Sequence, residues 1–378
     1  MKIALVSPYD FSYPGGVAHH IANLEHQFTG MGHEVKIISP ASSPVTTFGD
    51  RFIAIGKPRP VPTSGSIARV TLSFNIASKV KDLLEKEKFD IIHLHEPLIP
   101  MLCTNVLRFS KTANVGTFHA TDSRPSYRWS KPFAKMLLKK WFHRLDGRIA
   151  VSQSAQGYAN KHFPGHYDII PNGIDIEHFC PDVSPIDELS DGKLNILFVG
   201  RMEKRKGVEY LLKAYKRVKQ EIPEARLVLV GPGTRLRHKY EKRVLEHGLR
   251  DVVFAGQVSY TDLPRYYKTA HVFCAPATGY ESFGIVLLEA MAVGKPIVAS
   301  NISGYAGLIN HEVEGLMVPP KDEKKLAEAL ISLITDKQRQ HEMGARGAIK
   351  AEKYSWKHIT RQVLDYYAEV LTEFRKGK

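Results

Sequence analysis

The feature that most constrains this chain is a regular alternation between short apolar, β-branched runs and longer stretches with helical periodicity. The apolar runs are KIALVSP, EVKIISP, DIIHLHE, NVGTFH and RIAVS in the first half, and NILFVG, RLVLVG, VVFAG, VFCAP and PIVAS in the second. Strands that alternate with helices indicate βαβ units, and nearly continuous apolar strands indicate a parallel sheet covered on both faces. The pattern predicts an α/β protein with two doubly wound domains.

The domain boundary is predicted from a change in composition between Cys180 and Lys193. There CPDVSPIDELSDGK is rich in Pro, Ser and Asp and has no apolar period, which is typical of a linker. The predicted organisation is a first domain at 1–180, a linker at 181–193, a second domain at 194–355, and a C-terminal helix at 356–378 that returns to the first domain. Ligands of open α/β sheets bind at the carboxyl ends of the strands, so a cleft between the domains is the expected site.

The composition indicates a soluble globular protein. Hydrophobic residues make up 43% and charged residues 24% of the 378 residues. The three cysteines are scattered and lack metal-ligand spacing, so we predict neither disulfides nor a zinc site and expect a reducing, cytoplasmic compartment. No run approaches the roughly 20 apolar residues of a membrane span, and MKIALVSPYD leads into a strand rather than a signal peptide.

The net charge of +14 indicates an acidic partner, and half of this excess lies in one segment. Residues 111–148 contain nine lysines and arginines against two aspartates. Within it, SKPFAKMLLKKWFHRL wound as a helix is amphipathic. Its apolar side carries Phe133, Leu137, Leu138, Trp141, Phe142 and Leu145, and the basic residues in and beside it are Lys131, Lys135, Lys139, Lys140 and Arg144.

This basic helix has two interpretations. It is either a core-packing helix with a solvated face or a membrane-surface helix, in which each basic residue contributes about 1 kcal/mol near an anionic leaflet. Aromatic residues beside lysines support the membrane surface, but the sequence leaves both interpretations open, and a lipid acceptor would decide for the membrane. Trp141 and Phe142 then either enter the head-group boundary or pack on the domain.

Two strand-to-helix turns have the composition of phosphate sites. In SPYDFSYPGGVAHH, Gly15 and Gly16 allow close backbone approach at the start of a helix, although an ordinary turn would also explain them. In FVGRMEKRKGVEYLL, four basic residues lie in the turn after a strand, where anion binding is favoured over a solvated charge run.

Three further groups carry possible chemistry. Glu281 and Glu289 flank the apolar helix pattern of ESFGIVLLEA; a favourable acid at a helix start would explain the first but would leave the second without a partner. His119 ends NVGTFH and has an alternative role as an ordinary strand-end histidine. His93, His95 and Glu96 in HLHE imitate a metal site, but no third ligand is apparent, and we interpret them as structural.

Together PGGV, GRMEKRKG and ESFGIVLLEA resemble the retaining, nucleotide-sugar-dependent glycosyltransferases of the GT-B fold, family 4. The resemblance covers essentially the whole chain, and the last motif matches the family's two glutamates separated by seven residues. Within the family, PYDFSYPGGV, SGSIAR, DIIHLHEP and GTFHA are similar to bacterial phosphatidylinositol mannosyltransferases. The resemblance implies two Rossmann-like domains that face a central cleft.

The resemblance also implies roles for individual residues. Glu281 would accept hydrogen bonds from donor-sugar hydroxyls and Glu289 from the ribose, with His119 near the sugar. The other implied donor contacts are Gly15, Gly16 and the N–H groups of Phe283, Gly284 and Ile285. Arg201 and Lys206 would neutralise the departing diphosphate. The sequence has no Asp-x-Asp, so no metal or other cofactor is expected.

The acceptor is less closely specified. Tyr9, Ser66, Arg69 and Arg124 stand where similar enzymes bind an inositol phosphate, so a membrane lipid with a phosphate-bearing head group is expected, reached from the inner face of the membrane. Mannose from GDP-mannose is the leading donor; the alternative is a UDP-sugar and another glycolipid or a soluble acceptor. A nucleic-acid-binding protein would give the two glutamates no role, and a nucleotide-sugar epimerase would leave GRMEKRKG unexplained.

Overall fold

The structure is a computed structural model that describes residues 1–13, 15–63, 66–121 and 132–377. The chain divides into two compact units, Met1–Gly173 with Trp356–Lys378 and Ile174–Ser355. The first unit therefore ends before the predicted boundary at residue 180. Residues 181–193, predicted as a linker, are part of the second unit.

The strands alternate with helices along the chain, as the pattern of apolar runs predicts. In chain order the strands are β1 (Lys2–Val6), β2 (Glu34–Ser39), β3 (Phe52–Ala54), β4 (Pro58–Thr63), β5 (Ser66–Thr71), β6 (Ile91–His95), β7 (Ala113–Phe118), β8 (Gly147–Ala150), β9 (Asp168–Ile169), β10 (Leu194–Val199), β11 (Ala225–Val230), β12 (Val252–Gly256), β13 (Val272–Ala275), β14 (Ile297–Ser300) and β15 (Gly315–Val318).

The helices follow the same order. They are α1 (Gly16–Gly30), α2 (Ala77–Glu87), α3 (Leu102–Phe109), α4 (Pro132–Phe142), α5 (Gln153–His162), α6 (Val208–Glu221), α7 (Arg235–Glu246), α8 (Leu263–Thr269), α9 (Ile285–Ala292), α10 (Ser303–Ala306), α11 (Glu323–Ile334), α12 (Lys337–Glu352) and α13 (Trp356–Lys376).

The first unit is built on a parallel sheet. In the described residues seven strands pair in the order β3-β2-β1-β6-β7-β8-β9, and β4 pairs antiparallel with β5 as a separate hairpin. Ile3 and Leu5 of β1 point into a core shared with α1 and α13, whereas Ala4 and Val6 point into a core shared with α2 and α3. Alternate residues of one strand thus fill both faces, which is why the strand is apolar from Ile3 to Val6.

The second unit repeats this architecture. Its described strands form a six-stranded parallel sheet in the order β12-β11-β10-β13-β14-β15. Ile196 and Phe198 of β10 pack with α6 and α11, while Leu197 lies in the core on the other face with α9. In both sheets the strand order reverses beside the first strand, between β1 and β6 and between β10 and β13. The carboxyl ends of these strands are where doubly wound sheets bind ligands.

The C-terminal helix α13 belongs to the first unit. A buried stripe along it includes Trp356, Ile359, Val363, Tyr367 and Val370. This stripe packs in the same core as β1 and α1. None of the helices in the described ranges has both the length and the apolar character needed to cross a bilayer.

Candidate active site

The basic turn after β10 forms an ion-pair cluster within the second unit. Lys206 Nζ lies 2.9 Å from Glu281 Oε1, and Arg205 Nη1 donates to the same oxygen. Glu203 accepts from Arg205 Nε at 2.9 Å and lies 3.3 Å from Arg201 Nε. Three cations therefore surround two carboxylates, which leaves a net positive charge suited to an anion.

Lys206 and Arg201 differ in how exposed they are and therefore in how freely their side chains can move. Lys206 is 13% exposed and is held against Glu281, whereas Arg201 is 45% exposed and has only a long contact with Glu203. Arg201 can therefore reorient toward a ligand at low cost, and Lys206 is already fixed beside Glu281. The resemblance assigned both residues to the leaving diphosphate, and the structure brings both to the same turn.

Close backbone packing fixes the position of Glu281. Gly304, at the start of α10, lies so close that a Cβ atom there would be 1.8 Å from the Glu281 carbonyl oxygen. Three residues after Glu281, Gly284 adopts a positive φ of 91° and precedes α9, and a Cβ atom there would lie 2.8 Å from the Tyr305 ring. Both positions require glycine, so the carboxylate is presented by rigid backbone.

The helix α9 begins after Gly284. This N-cap residue has no side chain that could cap the helix. The Phe283 ring is buried and packs 6.0 Å from the Tyr354 ring, so only its backbone is suited to a ligand. Uncapped N–H groups and the helix dipole favour an anion here. This arrangement suits the predicted phosphate contact of residues 283, 284 and 285.

Glu289 has a protein partner, contrary to the expectation from the sequence. Its Oε2 accepts a hydrogen bond of 2.6 Å from the hydroxyl of Tyr267, a buried residue of α8. Burial raises the pKa of Glu289 to about 7, against the opposing effects of this hydrogen bond and the charge of Lys206. The carboxyl group therefore changes charge near neutral pH.

This titration gives a testable pH dependence. If ionised Glu289 accepts hydrogen bonds from donor hydroxyls, the KM for the donor should rise as pH falls from 8 to 6, by up to about tenfold for a group with a pKa near 7. Glu289→Gln should show a KM that changes little over this range. If the donor KM of Glu289→Gln rises with falling pH as much as that of the parent does, Glu289 does not have this role.

A second polar cluster lies at the carboxyl ends of β6 and β7 in the first unit. His95 ends β6, His119 follows β7, and the two strands are paired neighbours, so the two side chains meet. His95 Nδ1 lies 3.0 Å from His119 Nε2. Glu96 Oε1 accepts the backbone N–H groups of His119 and Ala120, both at 2.7 Å. The Glu96 carboxylate therefore fixes the loop that carries His119.

The interpretation of HLHE needs correction in one respect. His93 is structural, because its Nδ1 lies 2.6 Å from the Tyr367 hydroxyl and its Nε2 lies 2.6 Å from Thr117 Oγ1. His95, by contrast, is joined by His119 and by His20 of α1, so a third histidine is present. The sequence analysis missed it because His20 is distant in the chain. Burial lowers the pKa of His20 to about 4 and that of His119 well below its ordinary value.

The glycine pair lies at the start of α1. Gly15 is the N-cap residue and makes no side-chain cap, and Gly16 begins the helix. A Cβ atom at Gly16 would have no neighbour within 4 Å, so the described protein does not itself demand glycine there. A ligand therefore has room to contact the protein backbone at Gly16, as the predicted role in donor binding requires.

The structure brings two of the four predicted acceptor residues together. Tyr9, after β1, forms an isolated antiparallel bridge with Val70, the residue next to Arg69 on β5. The Arg69 guanidinium lies 4.6 Å from the centre of the Tyr13 ring, which makes a cation–π contact. The side chain of Ser66 and the whole of Arg124 lie outside the described residues, as does Lys131 of the predicted membrane contacts.

The basic helix α4 packs on its own domain. Leu138, Phe142 and Leu145 are buried, and Trp141 packs against the same core. Of the two arrangements that the sequence allows for Trp141 and Phe142, the structure has the one in which they pack on the domain. Arg144 Nη2 donates to the Ser110 carbonyl at 2.9 Å, so this residue anchors the end of the helix.

The solvent face of α4 remains basic. Lys139 and Lys140 are exposed, and Met136, one turn before Lys140, is 65% exposed. Lys140 Nζ lies 5.5 Å from the centre of the Trp141 ring. Lys135 is part of α4, and its side chain lies outside the described residues.

Comparisons with known proteins identify the family. Residues 14–178 match the model for Glycosyltransferase Family 4, and residues 183–350 match the model for Glycosyl transferases group 1. The phosphatidyl-myo-inositol mannosyltransferase of Mycobacterium leprae is 32% identical over 379 residues, which cover 100% of this chain and 99% of that protein. The chain belongs to glycosyltransferase family 4.

Further known proteins match this chain over nearly its full length. The phosphatidyl-myo-inositol mannosyltransferase of Mycolicibacterium smegmatis is 33% identical over 98% of this chain and 94% of that protein. Among solved structures, sucrose-phosphate synthase from Thermosynechococcus elongatus has a TM-score of 0.78 at 23% identity and covers 98% of this chain and 99% of its own. Anabaena HepE in complex with UDP has a TM-score of 0.79 at 19% identity, and the match covers 98% of this chain and 100% of the HepE chain. The predicted GT-B fold with two Rossmann-like domains is therefore confirmed for this family 4 glycosyltransferase.

Sequence reasoning missed several residues of the site. Arg205 was recognised only as part of the basic turn, although it pairs with both Glu281 and Glu203, whereas Arg201 contacts Glu203. Tyr267 gave no signal, because a buried tyrosine in a short helix is ordinary core. His20 lies in α1, the helix that follows β1, and only the pairing of β1 with β6 brings it to His95, so no local signal marks it.

Proposed function

We propose that this family 4 glycosyltransferase transfers a hexose, with mannose from GDP-mannose as the leading donor, to a membrane lipid with a phosphate-bearing head group such as phosphatidylinositol. The observation that carries the proposal is the cluster of Arg201, Arg205 and Lys206 around Glu281 and Glu203. It supplies both a polar acceptor for sugar hydroxyls and fixed cations for a diphosphate. Full-length relatives named phosphatidyl-myo-inositol mannosyltransferase suggest the acceptor.

The proposed chemistry follows from where charge develops. As the glycosidic bond to the diphosphate breaks, negative charge grows on the leaving oxygen. Lys206, which is already fixed beside Glu281, and Arg201, which reorients toward the diphosphate when the donor binds, stabilise this charge. The N–H groups at the start of α9 add to this stabilisation. Glu281 orients the sugar, and the acceptor hydroxyl attacks from the face that the leaving group vacates and passes its proton to the leaving diphosphate oxygen, so the anomeric configuration is retained. Because these fixed groups carry the charge, transfer is expected to continue in EDTA.

A donor panel tests the proposal. Purified protein is incubated with GDP-mannose, UDP-glucose or UDP-N-acetylglucosamine, each with and without vesicles that contain phosphatidylinositol, and the lipid products are identified by mass. Transfer from GDP-mannose to phosphatidylinositol supports the proposal. Transfer only from a UDP-sugar, or only to a soluble acceptor, would replace it with the alternative donor or acceptor. Absence of donor cleavage under every condition would overturn the transferase assignment.

The exposed lysines of α4 are proposed to hold the first domain against anionic lipid. Reversing Lys139 and Lys140 to glutamate should weaken binding to anionic vesicles at low salt by at least about 30-fold, because each lysine near the surface contributes roughly 1 kcal/mol. Transfer to lipid should slow in parallel, whereas slow hydrolysis of the donor should continue. Vesicle sedimentation measures the binding.

The matched control changes the same charge in the second unit. Lys213 and Lys216 are exposed residues of α6, and their reversal to glutamate should leave vesicle binding within about twofold of the parent. Equal loss of binding in both double variants would indicate a response to net charge alone. Unchanged binding in the α4 variant would make this helix ordinary scaffolding.

A further inference from the structure

Three imidazole rings converge at the carboxyl ends of β6 and β7. His95 and His119 come from these strand ends and His20 from the beginning of α1, and one ring nitrogen of each lies within 4.8 Å of the other two. We infer that this histidine triad is a binding site for a divalent transition-metal ion of the zinc class. The site does not depend on the proposed transfer reaction, and its metal is not required for that reaction.

The spacing of the rings fits a tetrahedral ion. The ring centres lie 5.2 Å apart for His20 and His95, 4.9 Å for His20 and His119, and 5.3 Å for His95 and His119. With zinc–nitrogen bonds of 2.0 to 2.1 Å, imidazole rings on a tetrahedral ion lie about 5 Å apart and their ligand nitrogens about 3.3 Å apart. The distance between His95 Nδ1 and His119 Nε2 is 3.0 Å, so it would need to increase only slightly to accommodate the ion.

The hydrogen bonds around the triad prepare lone pairs for a metal. His20 Nδ1 donates to Asn172 Oδ1 at 2.9 Å, which places the ring hydrogen on Nδ1 and leaves a lone pair on Nε2. Histidines that bind metals usually donate their other ring N–H to an oxygen acceptor, which fixes the orientation of the ring. His95 would bind through Nδ1, the atom that faces His119 Nε2, and its ring hydrogen would then lie on Nε2.

The donor set indicates which ion fits. Three imidazoles without a thiolate suit zinc, nickel or cobalt rather than magnesium or calcium, which prefer oxygen ligands. Three protein ligands leave a fourth tetrahedral position for water or an anion. Glu96 supports the site from outside, since its carboxylate holds the backbone of His119 and Ala120. A bound ion would also withdraw His119 from the proposed contact with the donor sugar.

Cobalt and zinc titrations of the full-length protein test this inference. After treatment with EDTA and dialysis, Co²⁺ should bind in one equivalent per chain and produce the visible absorption bands of a tetrahedral nitrogen-ligated ion. One equivalent of Zn²⁺ should abolish these bands. Competition with a chromophoric chelator then gives the zinc affinity. Only weak binding without defined stoichiometry would overturn the site.

Variants separate the triad from other histidines, of which the chain has 17 in all. His119→Gln, His95→Gln and His20→Gln should each lower zinc affinity at least about 100-fold, and Asn172→Ala about 10-fold to 100-fold, because it orients a ligand. His238→Gln, whose parent side chain is 91% exposed, should bind as the parent does.

Folding of each metal-free variant is checked by circular dichroism and thermal denaturation. If the buried His20 and His95 variants fail to fold, partly exposed His119 decides the question. Parental stoichiometry and affinity in folded His119→Gln would overturn the inference.

Discussion

Replacing Lys206 with alanine is expected to slow sugar transfer about a hundredfold while the protein remains folded. Lys206 lies 2.9 Å from Glu281 on a turn held between β10 and α6, where it can stabilise the leaving diphosphate. Removing one such preorganised group typically costs about 3 kcal/mol of transition-state stabilisation. Arg201→Ala should lose a similar amount. The measurement is kcat at saturating donor, with thermal denaturation to confirm folding.

The same turn offers a matched control. Lys204 is exposed, two residues from Lys206 in the chain, and no described contact ties it to either carboxylate of the cluster. Lys204→Ala removes the same charge from the same turn and should keep kcat within about threefold of the parent. Near-normal turnover in both Arg201→Ala and Lys206→Ala would show that the leaving group is stabilised elsewhere.

Replacing Glu281 with glutamine should lower kcat/KM about a hundredfold to a thousandfold. The change removes the charge that accepts hydrogen bonds from the donor sugar, and each hydrogen bond to a charged group contributes about 1.5–3 kcal/mol. It also removes the carboxylate that holds Arg205 and Lys206 in place. Loss in kcat as well as KM is expected, since misplaced cations stabilise the transition state poorly.

A surface ion pair provides the comparison for Glu281. Glu312 lies 3.2 Å from Arg339, and its side chain is 64% exposed. Glu312→Gln should therefore leave kcat/KM and the melting temperature almost unchanged. Parental kcat/KM in Glu281→Gln would contradict a role for this carboxylate in the donor site.

The sequence predicts the sheets well because their strands are buried on both faces. β1 and β10 fill two cores each and are therefore apolar at every position except Lys2 and Asn195, which is a strong local signal. The hairpin of β4 and β5 escaped prediction because PRPVPT contains three prolines, which argue against a strand in a sheet interior. In a two-stranded hairpin, prolines face fewer constraints.

The site is less predictable because its contacts join distant parts of the chain. Glu281 and Glu289 were found through a motif, but nothing local indicates that Arg205 pairs with Glu281 or that Tyr267 donates to Glu289. Similarly, His20 and His119 meet only after three parallel strands have paired. Such partners are fixed by topology, so sequence spacing alone could not reveal them.

The central claim is most directly tested by the product of one reaction. Purified protein is supplied with GDP-mannose and phosphatidylinositol vesicles, and the lipid product is isolated. Mass spectrometry gives its mass, and NMR assigns the anomeric configuration of the new linkage. The account predicts phosphatidylinositol that carries one added hexose, joined with the α configuration that mannose has in the donor. A β-linked product would contradict it. So would a reaction in which the enzyme cleaves the donor and passes the sugar to another acceptor while phosphatidylinositol stays unmodified.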